Sequence, residues 1–180
     1  MPEPKASILA IDQGTLSTRA ILFDRLGNQV AIARRPVALE RMDRHRVEQD
    51  GAEILARTRE VIAEILQAAD NTAIAAAGLA TQRSSVIAWN LQTGEPLSPV
   101  LSWQDRREHA WLETLQPRAS EIQRISGLRL TPHYGASKLR WLLRHNHRVQ
   151  QAAGNGTLAL GPLAAFLIAN LVTGHRNLVD

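Results

Sequence analysis

The stretch Ser7-Ile-Leu-Ala-Ile-Asp-Gln-Gly-Thr-Leu-Ser-Thr-Arg-Ala-Ile-Leu-Phe23 decides how the rest of the sequence is read. A short apolar run from Ser7 to Ile11 ends on Asp12. A polar turn containing Gly14 leads into a second apolar run, Arg19 to Phe23. Runs of this kind, bounded by turn chemistry, predict strands. Asp24-Arg-Leu-Gly-Asn28 supplies the next turn, with Gly27-Asn28 suited to positive φ, and Gln29 to Val37 reads as a third strand. Two successive hairpins would open the chain as an antiparallel meander.

Beyond the meander the pattern changes period. Asp50 is a good N-cap, and Glu53 completes a capping box. Ile54, Leu55, Val61, Ile62, Ile65 and Leu66 then recur at helical spacing, opposite Arg57, Arg59, Glu60 and Glu64, and Asn71 lies just past the helix end. Ile74 to Thr81 reads as a buried strand, Ser85 to Asn90 as its antiparallel neighbour, and Gln92-Thr-Gly-Glu95 as a turn. Helices are expected over Gln104 to Leu115, Arg118 to Ser126 (stopped by Gly127) and Gly135 to Arg144. Thr157 to Leu160 is a short strand. Pro162 sits in the first turn of a last helix that runs to about Val172 and stops at Gly174, and the residues before Asp180 read as the start of another strand. Strands and helices in this order predict an α/β layered domain.

Composition narrows the function classes. With 180 residues, 44% hydrophobic and 21% charged, the chain can build a core and lacks the signature of disorder. It has no cysteine, which excludes disulfides and thiolate-bound metal and fits a reducing compartment. The run Ile8 to Ile11 is too short for a signal core or a membrane span, so a cytoplasmic protein is expected. The formal charge is +4, but the densest basic group (Arg34, Arg35, Arg41, Arg44, His45, Arg46) is interrupted by Glu40, Asp43 and Glu48, and aromatics are not interleaved with it. It reads as a solvated loop rather than a nucleic-acid surface.

Four stretches could carry chemistry. In Asp12-Gln-Gly-Thr-Leu-Ser-Thr18, backbone N–H groups around Gly14 and the hydroxyls of Thr15, Ser17 and Thr18 could line an anion site. Asp12 could hold a hydrated Mg²⁺ and Arg19 could neutralise phosphate. The same residues are also common in a plain hairpin turn, and no Gly-Lys-Ser/Thr follows to make a Walker loop. In Thr81-Gln-Arg-Ser-Ser85, Arg83 could bind hydroxyls through its rigid fork or be a surface arginine. In Ser102-Trp-Gln-Asp-Arg-Arg107, Trp103 could wall a carbon chain whose hydroxyls are held by neighbouring polar groups, or be a partly buried core residue. In Thr131-Pro-His-Tyr-Gly-Ala-Ser-Lys138, Tyr134 could offer its hydroxyl or pack at a helix start, and Lys138 reads as a solvated helix residue. His133, His145 and His147 lack metal-ligand spacing.

The order and spacing of Ile11-Asp-Gln-Gly-Thr-Leu-Ser-Thr-Arg-Ala20, Gly78-Leu-Ala-Thr-Gln-Arg83, Ser102-Trp-Gln-Asp-Arg-Arg107 and the Gly127 to Leu142 segment resemble the FGGY carbohydrate kinases, with the glycerol kinases as the nearest branch. The resemblance runs from about residue 7 to Asp180. It implies the N-terminal domain of an actin/hexokinase-type (ribonuclease H-like) fold, a mixed sheet flanked by helices, with the C-terminal domain lying beyond the sequence. It implies ATP and Mg²⁺ as cofactors, a polyol or sugar as substrate, and a homo-oligomer at full length. Neither nucleic acid nor membrane belongs to this picture. Asp12, Gly14, Thr15, Ser17 and Arg19 would sit near the nucleotide phosphates and the metal. Arg83, Ser84, Trp103, Asp105 and Tyr134 would line the acceptor site. The family's catalytic aspartate lies beyond residue 180, so phosphoryl transfer by these residues alone is not expected.

Three positions depart from the branch. Leu16 replaces a threonine, Ser84 replaces a glutamate that binds substrate hydroxyls, and Ala164 replaces a helix-start aspartate. They leave open a polyol or sugar other than glycerol, or a family member without catalysis.

Overall fold

The computed structural model describes residues 6–69 and 73–173. Along the chain run β1 (Ser7–Gln13), β2 (Ser17–Phe23), β3 (Gln29–Pro36), β4 (Glu40–Arg41), β5 (Val47–Gln49) and α1 (Gly51–Ala68). Next come β6 (Ile74–Thr81), β7 (Val86–Asn90), β8 (Val100–Leu101), α2 (His109–Glu113), a 3₁₀ turn at Gln116–Arg118 and α3 (Ala119–Ser126). The described part ends with α4 (Gly135–His145), α5 (His147–Gly154), β9 (Leu158–Pro162) and α6 (Leu163–Leu171). The expected helix stop at Gly174, the strand start before Asp180 and the Asn71 position lie outside the described residues.

These elements form two compact units. The first comprises Met1–Leu39 with Asp50–Gln82, and the second Glu40–Gln49 with Arg83–Asp180. The first is a four-stranded sheet in the order β3-β2-β1-β6. The meander pairs antiparallel as expected, and β6 joins β1 in parallel. Strand alternation sends Leu9 and Ile11 of β1, and Ala20 and Leu22 of β2, into a core with Val61 and Ile65 of α1. Asp12 and Arg19 stand on the other face. Asp50 caps α1 as the sequence predicts, accepting from the Ala52 and Glu53 N–H groups. The reciprocal half of the capping box is replaced: Glu53 Oε2 accepts from the Ala38 N–H at 3.2 Å. Leu66, expected on the buried face, is 53% exposed.

Two expectations about β6 and β7 are corrected. β6 is mostly exposed, being an edge strand of alanines, rather than a buried one. β7 is not its antiparallel neighbour but belongs to a second sheet, β4-β5-β8-β7-β9, where it pairs with β8 and β9. The turn between them contains Ser84 at φ 63, left-handed backbone that is uncommon for a non-glycine residue, and there the chain leaves one sheet for the other. Asn28, expected at positive φ, is not there; Gly27 alone supplies it in that turn.

The core of the second unit gathers Val86, Ala88, Leu101, Leu142, Val149 and Ala152. On α6, Phe166 meets Trp89 edge-on at 5.7 Å. The helix expected from Gln104 begins only at His109, because Arg106 donates its N–H to the His45 carbonyl and Asp105 uses its carboxylate elsewhere. Gly127, at φ 72, ends α3 as expected. The basic group pairs with local acids: Arg35 with Glu60 and Glu64, and Arg46 with Asp43.

Candidate functional site

In the first unit the candidate residues sit on the β1–β2 hairpin. Register places Asp12 opposite Arg19, and the Arg19 guanidinium closes on Asp12 Oδ2, with Nε at 3.1 Å. The turn is braced from within. Gly14 donates its N–H to the Ser17 carbonyl at 2.9 Å, and Gln13, fully buried, donates Nε2 to the Gly14 carbonyl at 2.7 Å. Gln82 reaches the same residue twice, through its N–H to Gln13 O at 3.0 Å and through Nε2 to Gln13 Oε1 at 3.2 Å. The Gly14 amide is therefore engaged within the hairpin. Thr18 points to the buried side, leaving Thr15, Ser17, Asp12 and Arg19 on the partly exposed rim. Leu16, 63% exposed, occupies the tip.

One carboxylate flanked by hydroxyls is a donor set that suits Mg²⁺, which keeps most of its waters and seldom requires an all-protein cage. Among the described residues no three His, Cys, Asp or Glu side chains converge as a metal cluster.

In the second unit three segments meet: the turn before β7 (Arg83–Ser85), the loop after β8 (Ser102–Arg107) and the entry to α4 (His133–Lys138). The Trp103 N–H donates to Ser85 Oγ at 2.9 Å. Trp103 is 37% exposed, and its indole meets the His133 ring edge-on at 5.8 Å. Arg83 is exposed at the head of its turn. Tyr134 adopts extended backbone as the N-cap of α4. It touches His133 edge-on at 5.3 Å and also lines an apolar cavity of about 250 Å³ with Leu112, Leu115, Leu128 and Leu130. His133, read from the sequence only as a non-ligand, is therefore the residue that faces Trp103.

Asp105 is fully buried. Its Oδ2 accepts from the Val47 N–H at 2.8 Å and from Arg107 at 2.7 Å, and its Oδ1 accepts from the Arg107 N–H and Nε. This carboxylate braces the loop and presents no open face to an acceptor. Arg107, missed in the sequence, is the hub. Its side chain, 4% exposed, bridges Asp105 and Glu48 and stacks over the Trp141 ring at 4.3 Å. Burial opposes its charge, and hydrogen bonds to Asp105 and Glu48 outweigh that, holding the guanidinium above its ordinary pKa.

Lys138, expected in solvent, is buried instead, with Nζ donating to the Ser84 carbonyl at 3.1 Å and to the His133 carbonyl at 2.5 Å. Burial pushes its amine down to about 8, Asp105 opposing and Arg107 assisting. Its spacing was a usable signal, since Lys138 lies one turn before Leu142, on the same helix face.

This fold has well-matched relatives among sugar and polyol kinases. A crystal structure of Plasmodium falciparum glycerol kinase with ADP superposes with a TM-score of 0.86 at 26% identity, covering 94% of the chain and 35% of that protein. A xylulose kinase from Rhodospirillum rubrum gives 0.80 at 26% identity, covering 97% and 36%. Both are FGGY kinases of actin/hexokinase-like fold, and the mixed α/β architecture of the chain is theirs.

The chain belongs to the FGGY family of carbohydrate kinases, whose N-terminal domain matches residues 7–176. The glycerol kinase of Acinetobacter baylyi is 37% identical over 177 residues, covering 96% of the chain and 36% of that enzyme. The chain thus spans about a third of the curated relatives it matches.

Proposed function

We propose that the chain is the acceptor- and phosphate-binding part of a kinase that moves the γ-phosphate of ATP to a hydroxyl of a polyol or sugar, in the manner of the glycerol kinases. The observation that carries this reading is the Trp103–His133 wall. It is an exposed indole set edge-on to an imidazole beside the turn of Arg83, in a chain of this family.

Indole faces pack against C–H surfaces, and an exposed guanidinium beside such a wall supplies directional donors to hydroxyls. Trp103 would wall the carbon chain, and Arg83 and His133 would orient its hydroxyls. Tyr134 would support His133 from the apolar side, and Asp105 would act through Arg107 by fixing the loop. Ser84 lies at the same turn with a side chain too short to replace a glutamate, which favours an acceptor other than glycerol.

On the first unit, Asp12 with Thr15 and Ser17 would hold a hydrated Mg²⁺, and Arg19 would balance nucleotide phosphate charge. When bound, ATP–Mg²⁺ supplies the transferable phosphoryl group, and the protein's part is mainly positioning and charge neutralisation. This reading places the protein in the cytoplasm, in keeping with its cysteine-free sequence, and in a homo-oligomer when joined to the rest of the enzyme.

A second reading, a family member that binds a sugar without phosphorylating it, is favoured by the exposed Leu16 at the tip of the phosphate turn. Both are tested by reading the coding sequence past Asp180 and assaying its protein for ADP release against a panel of polyols and sugars. Release that depends on one acceptor supports the kinase. Acceptor binding with no release supports the second reading and overturns the first. The 180-residue chain by itself is expected to release none.

A further inference from the structure

Three features around Lys138 have no explanation in the packing alone. A lysine stem buried to this degree is unusual, because burial removes the ammonium from water at a substantial cost. Its Nζ meets two backbone carbonyls rather than a carboxylate, and those carbonyls belong to two segments far apart in sequence, at Ser84 and His133. One of them, Ser84, holds a left-handed backbone that disfavours any residue with a Cβ. Conformations of that kind persist where surrounding groups over-determine them.

The two segments matter for the same reason. The Ser84 turn carries Arg83 on one side and Ser85 on the other, and Ser85 Oγ receives the Trp103 N–H. The His133 carbonyl belongs to the residue whose ring stands against Trp103. A single buried ammonium therefore joins both edges of the wall. The charged groups around it are Asp105 and Arg107 from the loop after β8, with Glu48 of β5 behind Arg107.

We infer that Lys138 is a positioning residue of the acceptor site, fixing through two carbonyls the turn that presents Arg83 and the turn that sets His133 against Trp103. The inference rests on the acceptor reading above. In this role the ammonium touches neither substrate nor nucleotide. It acts by removing the freedom of two loops that would otherwise have to be ordered at each binding event, which is where preorganised sites gain affinity.

The test is Lys138→Met, which keeps the apolar stem and removes the donors. Two amides report the two turns: Trp103 N–H, which donates to Ser85 Oγ, and His133 N–H, which donates to Thr131 Oγ1. Hydrogen exchange at both should accelerate by about tenfold or more in the variant, while the Val149 amide, capped by Asn146 on α5, keeps its rate. In the unmodified chain the same two amides should open together with one common free energy. Affinity for the polyol that the unmodified protein binds should fall by about tenfold or more. Lys138→Cys alkylated with bromoethylamine regains an ammonium at the only thiol in the chain, and it should restore both exchange rates and affinity.

Uniform acceleration of every amide would make Lys138 an ordinary stability residue and overturn the inference. So would unequal opening of the two turns in the unmodified chain, or polyol affinity that the Met variant keeps. A protein that binds no polyol or sugar at all would overturn the acceptor reading and this inference with it, an outcome distinct from the others because the unmodified protein already fails.

Discussion

Asp12 and Arg19 are cross-strand partners on the face of the first sheet that α1 does not cover, and the guanidinium is locked onto a single carboxylate oxygen, Oδ2. Both side chains are well exposed, at 39% and 46%, so the pair adds little to stability, about 0–1 kcal/mol. An interaction that contributes so little to folding is well placed to be exchanged for a ligand.

Asp12→Asn should therefore leave the urea midpoint nearly unchanged. On the proposed reading it should weaken Mg²⁺–ADP binding by about tenfold or more and remove the difference between titrations with and without Mg²⁺. Calorimetric titration checks both. Equal affinity in variant and parent would leave Asp12 as a hairpin residue and nothing more.

Arg107→Met should be among the most damaging single changes. It strands the buried Asp105 carboxylate and removes the cation over Trp141, so a loss of about 3–5 kcal/mol is expected in denaturant unfolding. Arg107→Lys should recover only part of this, because an ammonium cannot bridge Asp105 and Glu48 with the same fork.

Gly135→Ala tests the close approach at the start of α4. A Cβ there would come within 2.9 Å of Val86 Cγ1, a β-branched side chain in the core of the second unit. Overpacking of this kind costs about 1–3 kcal/mol, more than the helix propensity gained. The thermal midpoint should fall, and the Trp103 emission should shift as the His133 turn moves.

The Lys138 amine predicts a pH dependence with a definite sign. Its value is depressed to about 8 in the fold, against 10.5 for the ordinary side chain. Between these values the unfolded chain binds a proton that the folded chain does not, so this group makes the fold more stable as pH rises through that window. Unfolding free energies measured from pH 7 to 10.5 should climb for the parent relative to Lys138→Met, and a parallel pair of curves would contradict the assignment.

Much of this was legible in the residues. The meander and α1 announced themselves through clean periodicity and an Asp50 cap, because one face of each must be buried. The strand β6 was readable as a strand but not as an edge, since pairing is a property of the sheet and not of the segment. Its sequence neighbour β7 looked like its partner because nothing in Arg83-Ser84-Ser85 announces a left-handed serine. β4, β5 and β8 have two or three residues each, too few for alternation to register. α5 was missed although Asn146 caps it on the Val149 N–H, a signal present in the sequence. That the His133 ring faces Trp103 was not legible, because His133 lies outside regular structure, where no period tells which side a ring takes.

The route of the chain has a practical consequence. Glu40–Gln49 leaves the first unit to join the second, and β5 finds its partner β8 only some fifty positions later. Neither unit is a continuous segment, so no single cut isolates one. A break engineered at Gln82–Arg83 would put β4 and β5 on one fragment and β8 on the other. The halves would then carry complementary strand edges, which makes that peptide bond a natural place to divide this protein into a pair of fragments that reassemble by sheet completion.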